Sequence, residues 1–244
     1  MQDSSKRIAL VTGANKGIGF EIARRLGQAG LTVMLGARDA ALGEAAAKLL
    51  RAESLEARYV QLDVTRLATI EAAVAAIKRD FQRLDVLINN AGIIDPADGP
   101  PSAAEVEAVR HTMETNFIGA LAVTRAMLPL LREAPAARIV NVSSGLGSLK
   151  LNGDPDWEFA PYKLLGYCGS KAAMNMLTVQ LAYELRGTAI KVNSADPGYT
   201  ATDLNGRSGH QTIAEGAAEP VRLALLPPDG PTGGYSSTAG PLPW

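Results

Sequence analysis

Short runs of apolar, β-branched residues alternate with longer segments of helical periodicity along most of this chain. Six compact apolar runs predict strands at residues 7–12, 32–37, 57–63, 86–89, 138–142 and 189–193. Between the third and fourth runs, apolar residues recur at steps of three and four and predict one face of a helix, namely Leu67, Ile70, Val74, Ile77 and Phe81. Such alternation is typical of βαβ units, in which helices cover both faces of a parallel sheet.

The sequence therefore predicts an α/β fold. We expect residues 1–244 to form a single doubly wound, Rossmann-type domain with a parallel sheet of six to seven strands and helices on both faces. The tail at 227–244 is rich in Pro and Gly and predicts a loop with room for one short strand.

The charge balance argues against several partners. Lys and Arg number 24 against 25 Asp and Glu, so no basic field favours nucleic acid or an anionic membrane.

Cys168 is the only cysteine, which excludes an intramolecular disulfide and favours a reducing compartment. The polar start at 1–7 and the short apolar run at 8–11 do not match an export signal. We expect a soluble, cytoplasmic protein whose partner is a small molecule.

A glycine-rich turn, TGANKGIG at 12–19, directly follows the first predicted strand and opens a helical pattern. Glycines allow a tight turn and a close approach to a ligand, and the free amides at a helix start attract phosphate. The spacing differs from the G-x-G-x-x-G dinucleotide pattern, so glycines that only permit close helix packing remain an alternative. The candidate ligand residues are Gly13, Asn15, Lys16, Gly17, Ile18 and Gly19.

Tyr167 and Lys171 are four residues apart in a helical pattern and share one face of the helix. A free tyrosine titrates near a pKa of about 10. At about 5 Å, an ammonium would favour the phenolate by about two pKa units and suit Tyr167 to acid or base catalysis. An ordinary exposed Tyr–Lys pair is the alternative.

These features occur together with four further motifs, which are NNAG at 89–92, Asn116, NVSS at 141–144 and DPG at 196–198. In this order they resemble the short-chain dehydrogenase/reductase family over nearly the whole chain. The segments ARD at 37–39 and QLDV at 61–64 are most similar to its NADPH-dependent carbonyl reductase branch.

The resemblance implies a catalytic set. In it, Tyr167 donates a proton to the substrate carbonyl, and Lys171 lowers the Tyr167 pKa while binding the nicotinamide ribose. Ser144 orients the carbonyl, whereas the adjacent Ser143 is expected to be structural. Asn116 matches the family asparagine that lies at a helix distortion and holds a water, with a buried polar cap as the alternative. No metal is required.

The resemblance also implies cofactor contacts. Arg38 and Lys16 favour the phosphate of NADPH, although Asp39 has the spacing of an acid that binds the NAD ribose, and a solvated Lys16 is possible. Asp63 is expected at the adenine, with a turn residue as the alternative. The other expected contacts are Val64, Asn90, Ala91 and Gly92 on the adenosine side, and Pro197, Gly198 and Thr202 on the nicotinamide side.

Two segments are expected to shape the substrate pocket. Residues 149–166 hold about ten residues more than many family members, including Trp157, Phe159 and Tyr162. Residues 199–213 are expected to form a substrate flap. We expect a bulky apolar substrate, with a plain surface loop at 149–166 as the alternative. Similar insertions cover the pairing helix in the carbonyl reductase branch, so we expect a monomer or weak homodimer.

The predicted function is reversible, NADPH-dependent reduction of an aldehyde or ketone to an alcohol. An NAD(P)-dependent dehydrogenase of a dedicated hydroxy metabolite and a non-catalytic NADPH-sensing protein remain alternatives.

Overall fold

The strands of the described part of the chain all lie in one sheet. The computed structural model describes residues 6–244, so the first five residues of the predicted domain, and most of the segment predicted to lack an export signal, lie outside it. The strands are β1 (Ile8–Thr12), β2 (Thr32–Ala37), β3 (Ala57–Gln61), β4 (Val86–Asn89), β5 (Arg138–Val142), β6 (Lys191–Ala195), β7 (Tyr235–Ser237) and β8 (Gly240–Pro241).

The sheet order is β3-β2-β1-β4-β5-β6-β7-β8, and all neighbours are parallel except β7 and β8. The order reverses between β1 and β4, and open α/β sheets bind ligands beyond the carboxyl ends of the strands at such a point. The predicted α/β fold is confirmed, with one more strand than expected because the tail forms two.

The sixth strand begins two residues later than the sequence predicts. Ile190 donates its backbone N–H to Thr188 Oγ1 at 3.2 Å, so the chain is still turning where the strand was expected to start.

Nine helices of the described residues surround the sheet. They are α1 (Gly17–Gln28), α2 (Ala40–Ala52), α3 (Leu67–Phe81), α4 (Val106–Met113), α5 (Gly119–Arg132), α6 (Leu149–Asn152), α7 (Leu165–Glu184), α8 (Ile213–Gly216) and α9 (Ala218–Ala224). A π-helical turn, Glu114–Ile118, joins α4 to α5. Over residues 6–244, none of the helices has both the length and the apolar character needed to span a membrane.

Alternate side chains of each strand enter opposite halves of the core. Leu10 packs on the face covered by α3, α5 and α7, whereas Val11 packs on the face covered by α1, α2 and α9. The predicted apolar face of α3 buries Ile70 and Ile77, but Leu67 at the helix start is exposed.

A buried chain of polar side chains crosses the middle of the sheet. Asn89 donates to Thr124 Oγ1 and to Asn141 Oδ1, both at 2.8 Å. Asn141 donates to Thr178 Oγ1, which shares a hydrogen bond with Ser194, both at 2.7 Å. This network links β4, β5 and β6 to α5 and α7.

Candidate active site

The predicted site motifs meet at one edge of the sheet. The glycine turn follows β1, and the loops that begin at Asn90, Ser143 and Asp196 follow β4, β5 and β6. Because these strands are parallel, their carboxyl ends lie side by side.

The glycine turn forms an open cradle at the start of α1. Gly13 and Gly17 have φ angles of 64° and 59°, in the left-handed region that favours glycine. A Cβ at Gly17 would meet no atom within 4 Å, and no side chain caps the first turn of α1. This uncapped helix start, with space beside it, fits a bound phosphate group.

Asn90 and Ala91 hold the glycine turn against β4. Asn90 Nδ2 donates to the carbonyl of Thr12 at 2.9 Å, and a Cβ at Gly19 would lie 2.4 Å from that same nitrogen. A Cβ at Gly13 would lie 3.0 Å from Ala91 Cα. Both alternatives for the glycines therefore apply, since close packing and an open cradle occur in one turn.

Two basic residues lie in the segments that follow strand ends at this edge, Lys16 after β1 and Arg38 after β2. Arg38 follows β2 directly, is exposed, and makes no hydrogen bond or ion pair with another residue in the described part of the chain. Asp39 instead accepts from Leu42 N at 2.9 Å and caps α2. Lys16 is exposed and donates to Asp203 Oδ2 at 2.8 Å. The acid at the NAD-ribose spacing is thus engaged in a helix cap.

The QLDV segment is only partly placed as expected. Asp63 Oδ1 accepts from Thr65 N at 3.0 Å, as its turn-residue alternative requires. The Val64 side chain is buried, and a Cβ at Gly119 would lie 2.7 Å from Val64 Cγ2. Its side chain therefore packs in the core, and a contact with the adenosine through the Val64 backbone stays a prediction.

Tyr167, Lys171 and Ser144 lie together as predicted. The Lys171 ammonium is 5.5 Å from the centre of the Tyr167 ring, and it donates to the carbonyl of Val142 at 2.8 Å. The Tyr167 hydroxyl shares a hydrogen bond with Ser144. Ser143 is buried, and its hydroxyl donates to the carbonyl of Lys171 at 3.4 Å. Of the two adjacent serines, Ser144 is the one that meets the tyrosine.

The protonation of this pair differs from the prediction. Burial raises the pKa of Tyr167, which outweighs the lowering by its hydrogen bond to Ser144. Burial also lowers the pKa of Lys171 to about 8. The predicted lowering of the tyrosine pKa is therefore wrong for this structure, because the lost hydration of the buried phenol outweighs what favours the phenolate.

Asn116 is fully buried in the π-helical turn between α4 and α5. Its Oδ1 accepts from Ile93 N at 2.8 Å, and its Nδ2 donates to Ser170 Oγ at 3.0 Å. A Cβ at Gly92 would lie 3.4 Å from Asn116 Oδ1 and 3.6 Å from Lys171 Nζ. Asn116 thus occupies a helix distortion next to the loop that borders the ammonium.

The DPG motif forms a tight turn after β6. Gly198 has a φ of 71°, and a Cβ there would lie 2.3 Å from Gln211 Oε1. Thr202 begins a single 3-10 turn, Asp203–Asn205, and donates its backbone N–H to Asn205 Oδ1 at 3.2 Å. Pro197, Gly198 and Thr202 therefore lie beyond β6 at the same edge as the catalytic candidates.

An aromatic cluster connects the two segments expected to form the pocket. Trp157 contacts Phe159 with ring centres 5.4 Å apart, and Phe159 contacts Tyr199 at 5.7 Å. Tyr162 and His210 also contact Tyr199, at 6.1 and 5.8 Å. The aromatic side chains of residues 149–166 thus pack against residues 199–213.

Sequence reasoning missed two acidic residues at the site. Asp98 Oδ1 accepts from Gly166 N and its Oδ2 accepts from Tyr167 N, both at 2.9 Å, so it caps the start of α7. Asp196 was identified only as part of the DPG motif, yet its Oδ1 accepts from Gly198 N at 2.9 Å, and its charge acts on Lys171. Asp98 lies 69 residues before Tyr167, and no local pattern signals that contact.

Comparisons with known proteins agree with this site. A family model described as short chain dehydrogenase matches residues 7–212. Carbonyl reductase (NADPH) 1 of Sus scrofa is 36% identical, with 99% of this chain and 95% of that protein covered. (−)-Isopiperitenone reductase of Mentha piperita is 34% identical, with 93% and 95% covered. The NADPH-bound carbonyl reductase structure from chicken fatty liver superposes with a TM-score of 0.85 at 29% identity, covering 98% of this chain and 99% of that one.

Proposed function

The chain belongs to the short-chain dehydrogenase family, and on this basis we propose that it reduces an aldehyde or ketone to the alcohol with NADPH. The observation that carries the proposal is the meeting of Ser144, Tyr167 and Lys171 at the sheet edge that also holds the glycine cradle. The relatives named as carbonyl and isopiperitenone reductases support the same reaction class.

The residues at the edge fit NADPH. The uncapped start of α1 would hold the pyrophosphate on its free N–H groups. Arg38 would bind the additional phosphate of NADPH, since its guanidinium is exposed and makes no bond in the described structure, and Lys16 lies in the neighbouring turn. Asp39 caps α2 and does not compete for that position. When bound, the reduced nicotinamide supplies a hydride to the substrate carbon.

The chain itself supplies the proton and the alignment. A free tyrosine already keeps its hydroxyl proton at neutral pH, and burial raises the pKa of Tyr167 further. Tyr167 donates that proton to the carbonyl oxygen. Ser144 bonds to the Tyr167 hydroxyl and orients the same oxygen. Lys171 holds a positive charge beside the tyrosine and stabilises the negative charge left on it. Asn116 fixes the loop at 92–93 next to Lys171. In the reverse direction, the same groups accept the proton of an alcohol.

The substrate class follows from the walls of the site. Trp157 reaches the catalytic loop, because a Cβ at Gly145 would lie 3.1 Å from its ring, and Phe159 joins it to Tyr199. We propose that residues 149–166 and the 199–213 flap form an aromatic wall for a bulky apolar carbonyl compound. The monomeric or weakly dimeric state expected from the sequence stays a prediction.

NADPH consumption across a panel of aldehydes and ketones tests the proposal. We expect turnover by the wild-type protein, and a loss of at least about a thousandfold in kcat in Tyr167→Phe, which removes the proton donor and leaves the ring in place. Fluorescence titration with NADPH should show nearly equal binding by both proteins. If the wild-type protein binds NADPH but does not consume it with any carbonyl compound of the panel, the result would indicate a sensing protein instead.

A further inference from the structure

Asp196 lies at the same end of the sheet as the ammonium of Lys171. In the β5–β6 register, Val142 pairs with Ala195, and Lys171 Nζ donates to the carbonyl of Val142 at 2.8 Å. Asp196 is the next residue after Ala195. The ammonium and Asp196 therefore lie at the ends of two neighbouring strands, and no direct ion pair joins them in residues 6–244.

Two backbone amides hold the carboxylate in place. Gly198 N donates to Asp196 Oδ1 at 2.9 Å, and the Gly145 N–H also donates to Asp196. A Cβ at Gly145 would lie 3.4 Å from Asp196 Oδ2. Gly145 directly follows Ser144, so one side chain connects the serine loop to the turn expected at the nicotinamide.

The surrounding charges make Asp196 a partner of Lys171. The titratable groups that face it are Lys171 and Tyr167 of α7 and Tyr235 of β7. Burial lowers the pKa of Lys171 and raises the pKa of Asp196, and in each case the charge of the other residue acts in the opposite direction. Repulsion by Asp196 adds to the burial that raises the pKa of Tyr167 and of Tyr235.

Lys171 is only 4% exposed, and its ammonium bonds to a neutral carbonyl. A buried cation is costly unless an anion is close enough to offset its lost hydration. Asp196 is the carboxylate whose charge acts on Lys171 in the described structure.

We propose that Asp196 is a positioning residue whose carboxylate is the counter-ion of Lys171 and keeps it cationic beside Tyr167. Its catalytic consequence rests on the proposed function, whereas the charge pairing is a property of the chain alone. It adds an acidic member to the Asn116, Ser144, Tyr167 and Lys171 set.

The charge pairing is tested by NMR titration of protein labelled with ¹³C at the lysine Cε atoms. The Lys171 signal is assigned by its loss in Lys171→Met, and its pKa is compared in wild type and Asp196→Asn. Asparagine keeps an oxygen for the amides and removes the charge. We expect the Lys171 pKa to fall by about one unit in Asp196→Asn. Asp196→Glu, which keeps a carboxylate, should restore most of the shift.

The matched control is Asp229→Asn, which removes an exposed carboxylate after α9 and should leave the Lys171 titration unchanged. Asp196→Ser gives the same comparison if the asparagine variant does not fold. An unchanged Lys171 pKa in a folded, neutral Asp196 variant overturns the proposal. Because this titration needs no turnover, it is independent of whether the wild-type protein reduces carbonyl compounds.

Kinetics give a second readout. Removing the Asp196 charge takes away attraction for the ammonium and repulsion of the phenolate, so the pKa values of Lys171 and Tyr167 both fall. The alkaline limb of kcat/KM for carbonyl reduction should therefore move to lower pH in Asp196→Asn and stay in place in Asp229→Asn. An alkaline limb that does not move contradicts the catalytic part of the proposal.

Discussion

Neighbouring side chains at the carboxyl ends of the strands differ in the contacts they make. Asp39 is engaged in capping α2, whereas the neighbouring Arg38 extends into solvent. Ser143 is engaged with the backbone of α7, whereas Ser144 meets Tyr167. Arg38 therefore stays available for a ligand, and Ser144 reaches the tyrosine although its hydroxyl also accepts from Leu146 N at 3.2 Å.

At this scale the cofactor preference can be tested by Arg38→Ala. A hydrogen bond to a charged group contributes about 1.5–3 kcal/mol, so we expect the ratio of kcat/KM for NADPH over NADH to fall about tenfold to a hundredfold. Initial rates with each cofactor measure the ratio. Arg125→Ala, an exposed arginine on α5, is the matched control. Full NADPH selectivity in Arg38→Ala would show that Arg38 does not bind the phosphate.

Among the elements, α7 carries both Tyr167 and Lys171 and depends on another part of the chain for its start. Its own N-cap position, Leu164, makes no side-chain cap, and Asp98 from the β4–α4 loop accepts from two amides of the first turn instead. A carboxylate at this end also complements the helix dipole. The position of the catalytic tyrosine is therefore set partly by a residue of the preceding loop.

Replacing Asp98 tests that dependence. We expect Asp98→Ala to lower the free energy of unfolding by about 1–2 kcal/mol and to lower kcat, because the first turn of α7 frays around Tyr167. Asp98→Asn, which keeps one acceptor oxygen, should lie between Ala and wild type. The KM for NADPH should stay unchanged, since Asp98 does not touch the glycine turn. Denaturant unfolding measures the change in stability, and steady-state kinetics measure the change in kcat, with Asp229→Ala as the control. Equal kcat in all variants would contradict the proposal that Asp98 positions Tyr167.

For the whole molecule, segments from distant parts of the chain meet beyond the carboxyl ends of the strands. Lys16 of the glycine turn pairs with Asp203, and the aromatic cluster joins residues 149–166 to residues 199–213. Substrate size should therefore depend on how these segments pack together.

We predict that Trp157→Ala lowers kcat/KM for bulky ketones by about tenfold and leaves small aldehydes little affected, because only the large substrates lose contact with the indole ring. Kinetics on a series of ketones of increasing size checks this. Tyr183→Ala removes an exposed aromatic ring on α7 and is the control. An equal change for large and small substrates would exclude an aromatic wall at Trp157.

The sequence predicted the sheet and the candidate residues that meet at the carboxyl ends of its strands, and the limits of that prediction have physical causes. Strand and helix periodicity is local, so β1 to β5 and α3 lie near their predicted positions. The Asp98 cap and the Lys16–Asp203 pair join residues 69 and 187 positions apart, and such contacts depend on how loops fold over the edge. The predicted direction of the Tyr167 pKa shift was wrong for a similar reason, because the four-residue spacing between Tyr167 and Lys171 does not indicate how deeply the tyrosine is buried.

The polar chain through the sheet has a consequence for engineering. Asn89, Asn141 and Thr178 each make a hydrogen bond to another member of the network, so an aliphatic replacement of one leaves its neighbour's amide or hydroxyl without that partner in an apolar interior. Substitutions intended to raise the thermal stability of this protein should therefore replace all members of the network together or none of them.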